Sequence, residues 1–302
     1  MSPRNALLFQ THFFDRIAAG AFAKLRRGAP PDTEAIVLIH LAPGAPVPER
    51  LRRVPHHVVR TDELREPAYA AKCGGAGWSL WEGGHVDLIL LHFFRAHPEY
   101  DRYWLVEYDV RFSGDWRRFF FPLELLEADL LTPLLRRRAD QPDWMWWPTV
   151  RVPVPEAGML CAFMPIFRVS RAGLAAVDAA WRAGWAGHSE AVWPTAIAAA
   201  GLRLADPGGD GPFTPPALRN RFYTATMHTV ELSPGTLMWK PSLYRPGSRP
   251  DTLWHPVKPF WPRVELRQAL HDVRADLYLL RRRLAGAAPA RARLSGGGAA
   301  AS

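Results

Sequence analysis

The stretch YWLVEYDVRFSGDW, residues 103–116, decides how this chain is read. Tyr103 to Val106 form an apolar run of strand type. Glu107 and Asp109 follow with one residue between them, then Arg111 and a Ser113-Gly114-Asp115 turn. On a strand, side chains two positions apart share a face, so the two carboxylates are expected to converge at a strand end. In open α/β sheets, ligands bind at the carboxyl edge of the strands. Two neighbouring carboxylates repel and need a counter-charge, which a hard divalent cation such as Mg2+ or Mn2+ supplies. The spacing alone favours a plainer reading, a strand running into a polar loop with Glu107 paired to an arginine.

Working outward, strand and helix patterns alternate. Residues 5–12, 35–41 and the start of 56–69 read as strands, and 72–79 as a glycine-rich loop that matches no Walker pattern. Residues 83–101 have the apolar period of a buried helix, and 102–112 read as a strand. A helix is expected over 128–138, an aromatic loop at 141–148 and a strand at 161–170. Gly184 closes a helix over 171–184, and Gly201 stops a helix within 187–206 that a strand follows. Strands are expected at 222–229 and 235–242, and a proline-braced extended segment at 253–260. This alternation predicts an α/β fold, a layered sandwich with a central, mostly parallel sheet. One domain is expected over 1–262, then a basic amphipathic helix over 263–286 and a disordered low-complexity tail over 287–302.

Nearly half of the 302 residues are hydrophobic, ample for a large buried core. No run of eighteen apolar residues occurs, and MSPRNALLFQTHFFD lacks the pattern of a signal peptide, so a cytoplasmic protein is expected. The two cysteines, Cys73 and Cys161, lie far apart and form neither a zinc pattern nor a disulfide framework. A formal charge of +9 suits an anionic partner without choosing among nucleic acid, membrane surface and phosphorylated small molecule.

Other residues fit an oxygen-rich site. In LWHPVK, His255 can complete a metal site and Lys258 can neutralise a diphosphate. In GWAGHSEAVWPT, a glycine-rich turn delivers His188, Ser189 and Glu190 to a helix start. Glu190 there is either a general base or a carboxylate that favours the helix dipole. Asp62 and Arg65, after the third strand, can touch a nucleotide base or form a surface ion pair. DPGGDG, residues 206–211, reads as a tight turn.

Four stretches, EYDVRF, FMPIFRVSRAGLAAVD, GHSEAVWPT and LWHPVK, together resemble the nucleotide-sugar glycosyltransferases of the GT-A fold. The resemblance is nearer to bacterial relatives of a GT-A-like family of unknown function also found in fungi. It spans about residues 85 to 260 and implies a fold, a donor and a set of roles. The acidic motif of the superfamily is usually Asp-x-Asp; here it is Glu107-Tyr108-Asp109. Asp109 and His255 match the metal-binding positions, and Glu107 stands where the first acid reaches ribose, sugar or metal. Glu190 matches the catalytic base of inverting members. Thr11 and His12 fall in the loop implied to hold the nucleotide, and Arg111 and Lys258 are placed for phosphate contacts. Trp185, His188 and Trp193 are placed around an acceptor pocket.

The resemblance implies transfer of a sugar from a nucleoside-diphosphate sugar to a hydroxyl acceptor, with Mn2+ or Mg2+ as cofactor. No nucleic-acid motif is present. The basic helix at 263–286 has two readings: an ordinary terminal helix that packs its leucine face and solvates its arginines, which is the favoured one, or a peripheral contact with the inner face of a membrane. Two other function classes remain in view. A haloacid-dehalogenase-type phosphatase also spaces acids two apart, but it needs an Asp nucleophile where Glu107 stands. A non-catalytic basic module for nucleic acid or a membrane surface rests on charge alone.

Overall fold

Strand β1 (Asn5–Thr11) is buried along its whole length. Such a strand must be covered on both faces, and the computed structural model shows how. It describes residues 4–75, 78–81, 84–224, 235–237, 246, 247 and 249–258. After β1 come α1 (Arg16–Arg27), β2 (Thr33–Leu41), β3 (His56–Arg60), the single turn α2 (Ala70–Cys73) and α3 (Asp87–Ala96). Then follow β4 (Arg102–Glu107), β5 (Arg111–Phe112), α4 (Trp116–Glu124), β6 (Leu130–Leu131), β7 (Arg136–Arg137) and β8 (Leu160–Cys161). The described part ends with β9 (Ile166–Ser170), α5 (Arg171–Arg182), α6 (Ser189–Ala199), β10 (Leu204–Ala205) and β11 (Leu253–Trp254).

The main sheet has the order β10-β6-β9-β4-β1-β2-β3. Every neighbouring pair is parallel except the two that β9 makes, with β4 and β6. Alternate side chains feed two cores. Leu7, Phe9, Val37, Ile39, Trp104 and Val106 point to one, closed by Phe22 and Leu25 of α1 and Phe119 and Phe120 of α4. Ala6, Leu8, Leu38, Tyr103 and Leu105 point to the other, under α3, α5 and α6. The result is the expected α/β three-layer sandwich with a central, mostly parallel sheet. Cutting Phe22, which is 2% exposed, to Ala costs about 3–5 kcal/mol by the usual cavity penalty.

Four local expectations change. Residues 128–138 are not a helix. Pro133 removes an amide, Leu134 takes a positive φ of 53°, and Leu130 and Leu131 point to opposite cores, which is strand geometry. The strand expected over 102–112 breaks after Glu107 into a turn, closed by Val110 N–H donating to the Glu107 carbonyl at 3.0 Å. Residues 161–170 likewise divide between β8 and β9. Helices α1 and α4 went unmarked in the sequence, although Asp15 and Asp115 cap their first turns and α1 buries Ala18, Phe22 and Leu25.

The 206–211 segment is a tight turn, with Asp206 accepting from the Gly208 and Gly209 amides and from Tyr223. Cys73 and Cys161 are buried free thiols. Among the described residues, no helix is long and apolar enough to cross a membrane. The expected 263–286 helix, the 287–302 tail and most of the two strands expected at 222–229 and 235–242 lie outside the described residues.

Candidate metal centre and flanking cleft

Glu107 ends β4, and its amide donates to the Pro165 carbonyl at 2.8 Å. The chain then turns, so Asp109 reaches the same edge from the turn, not from a continuing strand. Antiparallel pairing of β11 with β5 sets Leu253 opposite Phe112 and Trp254 opposite Arg111. The next residue, His255, therefore lands beside Asp109, and Val257 N–H donates to the Asp109 carbonyl at 2.8 Å. His255 Nε2 is 3.5 Å from Glu107 Oε2 and 3.5 Å from Asp109 Oδ1. One donor atom from each of the three residues lies within 4.8 Å of the others.

Burial alone would lower the His255 pKa, but the Asp109 and Glu107 carboxylates raise it to about 10. Burial pushes Asp109 upward, and His255 and Lys258 outweigh it, holding the carboxyl below its ordinary value. Lys258 Nζ stands 3.6 Å from Asp109 Oδ2, and that carboxylate helps raise the lysine pKa against burial.

The triad fits a divalent cation. Asp109 is 4% exposed, and among the described residues its Oδ1 makes no hydrogen bond and meets the His255 imidazole only at 3.5 Å, so a bound cation would satisfy a buried oxygen. His255 Nδ1 lies 2.9 Å from the Leu237 carbonyl, which favours a proton on that nitrogen and turns Nε2 toward the carboxylates. Two carboxylates and one imidazole suit Mn2+ or Mg2+ with water or phosphate in the remaining positions.

A cleft of two chambers runs along this edge of the sheet. The first, about 570 Å³, is lined by Thr11, His12, His40, Tyr108, Asp109, His255 and Lys258 among others. The second, about 530 Å³, is lined by Asp87, Phe163, Met164, His188, Glu190 and Trp193 among others. Gln10, Trp81, Val86 and Glu107 line both.

Glu190 sits in the second chamber at the first turn of α6. Its Oε1 accepts from the Met164 amide at 3.0 Å, and its Oε2 lies 3.7 Å from His188 Nδ1. Burial pushes the Glu190 carboxyl up to about 8. Burial, helped by the Lys72 charge, lowers the His188 imidazole to about 4. His188 stacks on Trp146 with ring centres 4.8 Å apart. Trp193 is wholly buried, and its Nε1 donates to Asp87 Oδ2 at 2.8 Å.

The structure thus gathers Thr11, His12, Glu107, Asp109, His255 and Lys258 around one chamber, and His188, Glu190 and Trp193 around the other. Four expected residues line neither. Arg111 turns back onto the carbonyls of Tyr108 and Val110 and braces its own turn. Arg65 donates to the carbonyls of Cys73 and Gly75. Asp62 is exposed in a short turn after β3. Trp185 packs against the core under α5 and α6.

Sequence reasoning missed His40, Trp81, Tyr108 and Asp87. His40 is 6% exposed and T-shaped against Trp81, its Nε2 bonds Thr61, and among the described residues its Nδ1 makes no hydrogen bond. Asp87 opens α3 and pairs with buried Lys72 at 3.0 Å. An acid in the first turn of an apolar helix was the available signal for it.

No protein-family model matches the chain, and no curated protein matches it. Among solved structures it is similar to an inositol-1-phosphate CTP transferase from T. maritima. That likeness has a TM-score of 0.36 and 12% identity over 69% of this chain and 87% of that one. It is also similar to a protein of Bacillus anthracis, crystallised with a sucrose and provisionally assigned as a glucose-1-phosphate thymidylyltransferase. There the TM-score is 0.32, with 11% identity over 58% of this chain and 74% of that one. Likenesses at this level carry no argument about activity.

Proposed function

We propose that the protein is a metal-dependent glycosyltransferase that moves a sugar from a nucleoside diphosphate to a hydroxyl acceptor. The observation that carries this reading is the convergence of Glu107, Asp109 and His255 at the carboxyl end of β4, with Glu190 across the wall they share. Glu107, Asp109 and His255 would hold Mn2+ or Mg2+, which as a Lewis acid stabilises charge on a leaving diphosphate. Lys258 neutralises the same phosphates from the chamber mouth. Thr11, His12 and the Trp81–His40 edge are offered as the nucleotide side of the first chamber. Trp193 and His188 wall the acceptor side of the second.

In the reaction, the acceptor oxygen attacks the anomeric carbon and the bond from that carbon to the diphosphate breaks. The hydroxyl proton passes to Glu190, whose raised pKa makes it a stronger base than an exposed carboxylate. A single displacement of this kind inverts the anomeric centre. Transfer of a nucleotidyl group to a sugar phosphate is less well supported. It must bind a triphosphate beside a second phosphate, and Lys258 is the one Lys or Arg among the described residues lining the two chambers.

The test is thermal stabilisation by a panel of nucleoside diphosphates and their sugars, with and without Mn2+, followed by donor turnover. Stabilisation that needs both nucleotide and Mn2+, and that Asp109→Asn abolishes, supports the reading. Stabilisation only by a nucleoside triphosphate with a sugar phosphate overturns it.

A further inference from the structure

The first chamber is lined by Thr11, His12, His40, Asp109, His255 and Lys258, which supply polar and charged atoms. The second is built otherwise. Five Trp and Phe rings line it, from Trp81, Trp146, Phe163, Phe167 and Trp193, together with Leu90, Leu105 and Met164. Leu90, Leu105, Phe167 and Trp193 are buried, whereas Trp81 is 61% exposed, so the apolar lining runs from the core to the surface. Most of its polar side chains are already engaged. Asp87 pairs with Lys72 and accepts from Trp193. His188 Nδ1 accepts from the Glu190 amide at 3.3 Å, and Glu107 belongs to the acid–imidazole triad. Gln10 and Ser189 remain, each 8% exposed. The Met164 amide holds Glu190 Oε1, and among the described residues Glu190 Oε2 makes no hydrogen bond.

Such a lining discriminates among acceptors. A sugar brings several hydroxyls, and each one buried without a partner costs about 1–3 kcal/mol. Gln10 and Ser189 cannot serve them all. An apolar molecule with a single hydroxyl meets no such cost, and the area it covers contributes about 25 cal/mol per Å². The chamber, at about 530 Å³, has the size of a small-molecule site. Flat rings gain more there than saturated ones, because an offset or edge contact between aromatic rings is worth about 0.5–1.5 kcal/mol beyond its area. Acidity points the same way. Glu190 is pushed up to about 8, and a phenol of the tyrosine kind titrates near about 10. An aliphatic hydroxyl holds its proton far more tightly, so a phenol is the acceptor this carboxylate deprotonates most readily.

We propose that the second chamber binds a phenol, with its ring against the aromatic lining and its hydroxyl at Glu190, and that this phenol is the acceptor of the cleft. The reaction rests on the sugar-transfer reading; the binding does not. The phenol oxygen gives its proton to Glu190 Oε2 and forms a bond to the anomeric carbon of a nucleoside-diphosphate sugar. The bond from that carbon to the diphosphate breaks, and the nucleoside diphosphate leaves with the electron pair. Glu190 then returns the proton to water. The products are an aryl glycoside and a nucleoside diphosphate.

The test is isothermal titration of the full chain with three probes: 2-naphthol, decahydro-2-naphthol as a saturated alcohol of similar size, and methyl glucoside as a sugar. 2-Naphthol should bind about 100-fold or more tighter than methyl glucoside and about 10-fold tighter than the saturated alcohol. Trp146→Ala and Phe163→Ala should each weaken 2-naphthol by about 10-fold. If neither variant folds, Trp81→Ala, at the exposed end of the lining, should weaken it by about 3-fold. The same probes are then offered as acceptors with a panel of nucleoside-diphosphate sugars and Mn2+, and the glycoside is read by mass. Methyl glucoside or the saturated alcohol binding as tightly as 2-naphthol, or undiminished 2-naphthol binding by the folded variants, overturns the proposal. Transfer to methyl glucoside but not to 2-naphthol overturns it as well, and leaves sugar transfer standing. Binding of 2-naphthol with no transfer to any probe keeps the phenol site and removes the sugar-transfer reading instead.

Discussion

The two chambers of the cleft each pair a carboxylate with an imidazole at nearly the same distance. Asp109 and His255 lie 3.5 Å apart, Glu190 and His188 3.7 Å apart. In the first pair the acid is driven down and the imidazole up to about 10, so both are charged at neutral pH. In the second the acid is driven up to about 8 and the imidazole down to about 4, so the neutral forms lead. Separation is not what differs. Glu107 and Lys258 supply extra opposite charge on the first side, whereas Trp146, Trp193, Phe163 and Met164 wall the second. The charged chamber suits a cation and phosphates, the apolar one suits proton transfer.

The sharpest way to break this comparison is Asp109→Asn. It removes a carboxylate the cation would need, and turnover should fall by about 10³-fold or more, with Mn2+-dependent nucleotide stabilisation lost. Isothermal titration with Mn2+ and a nucleoside diphosphate checks the binding half. Unchanged Mn2+ affinity would remove Asp109 from the site.

Glu190→Gln should leave that titration intact and lower kcat by about 10²–10³-fold. A base must be unprotonated to act, so wild-type kcat should climb with pH and level off above about 8. The Gln variant should lack that inflection. A pH–rate profile with the same rise in both proteins would take the proton away from Glu190.

Stability should separate the two chambers by sign. His255 is raised from 6.5 to about 10, so its contribution to the metal-free fold is full below 6.5 and is lost as pH rises through about 10. Glu190 is raised from 4.5 to about 8, so the fold likewise loses stability as pH climbs through that window. The substitutions then diverge. Near pH 8.5, Glu190→Gln should stabilise by about 1–3 kcal/mol, because it retains the bond from the Met164 amide without a buried charge. At pH 6, His255→Ala should destabilise, because it leaves two carboxylates facing each other. Urea titrations in EDTA at the two pH values read both effects.

The smallest effect is expected at Arg111. Its guanidinium is spent on the carbonyls of Tyr108 and Val110, so Arg111→Lys should change donor KM by less than about twofold while lowering Tm slightly. A tenfold rise in KM would return Arg111 to the phosphates.

Much of the fold was legible because its signal is local. The runs 5–12, 35–41 and 102–107 are apolar on both faces, and buried parallel strands require that. Gly184 and Gly201 end the neighbourhoods of α5 and α6 with positive φ values of 84° and 74°. The leucines of 128–138 misled because a buried strand and a buried helix offer the same apolar letters, and only the neighbouring β9 and β10 select between them. Helix α1 was hidden by alanines that serve either face, although Asp15 and the 18-22-25 spacing mark it.

By itself the sequence determined the strand–helix alternation, the acidic pair at a strand end and the excess of positive charge. These follow from backbone periodicity and composition, which need no partner. Only the tertiary structure decided that β11 pairs with β5 and sets His255 on Asp109, that Glu190 faces a second chamber, and that Arg111 and Trp185 face neither. Those outcomes depend on which carbonyl a donor finds and which neighbour a ring packs against. Such contacts join segments far apart in the chain, and no local pattern records them.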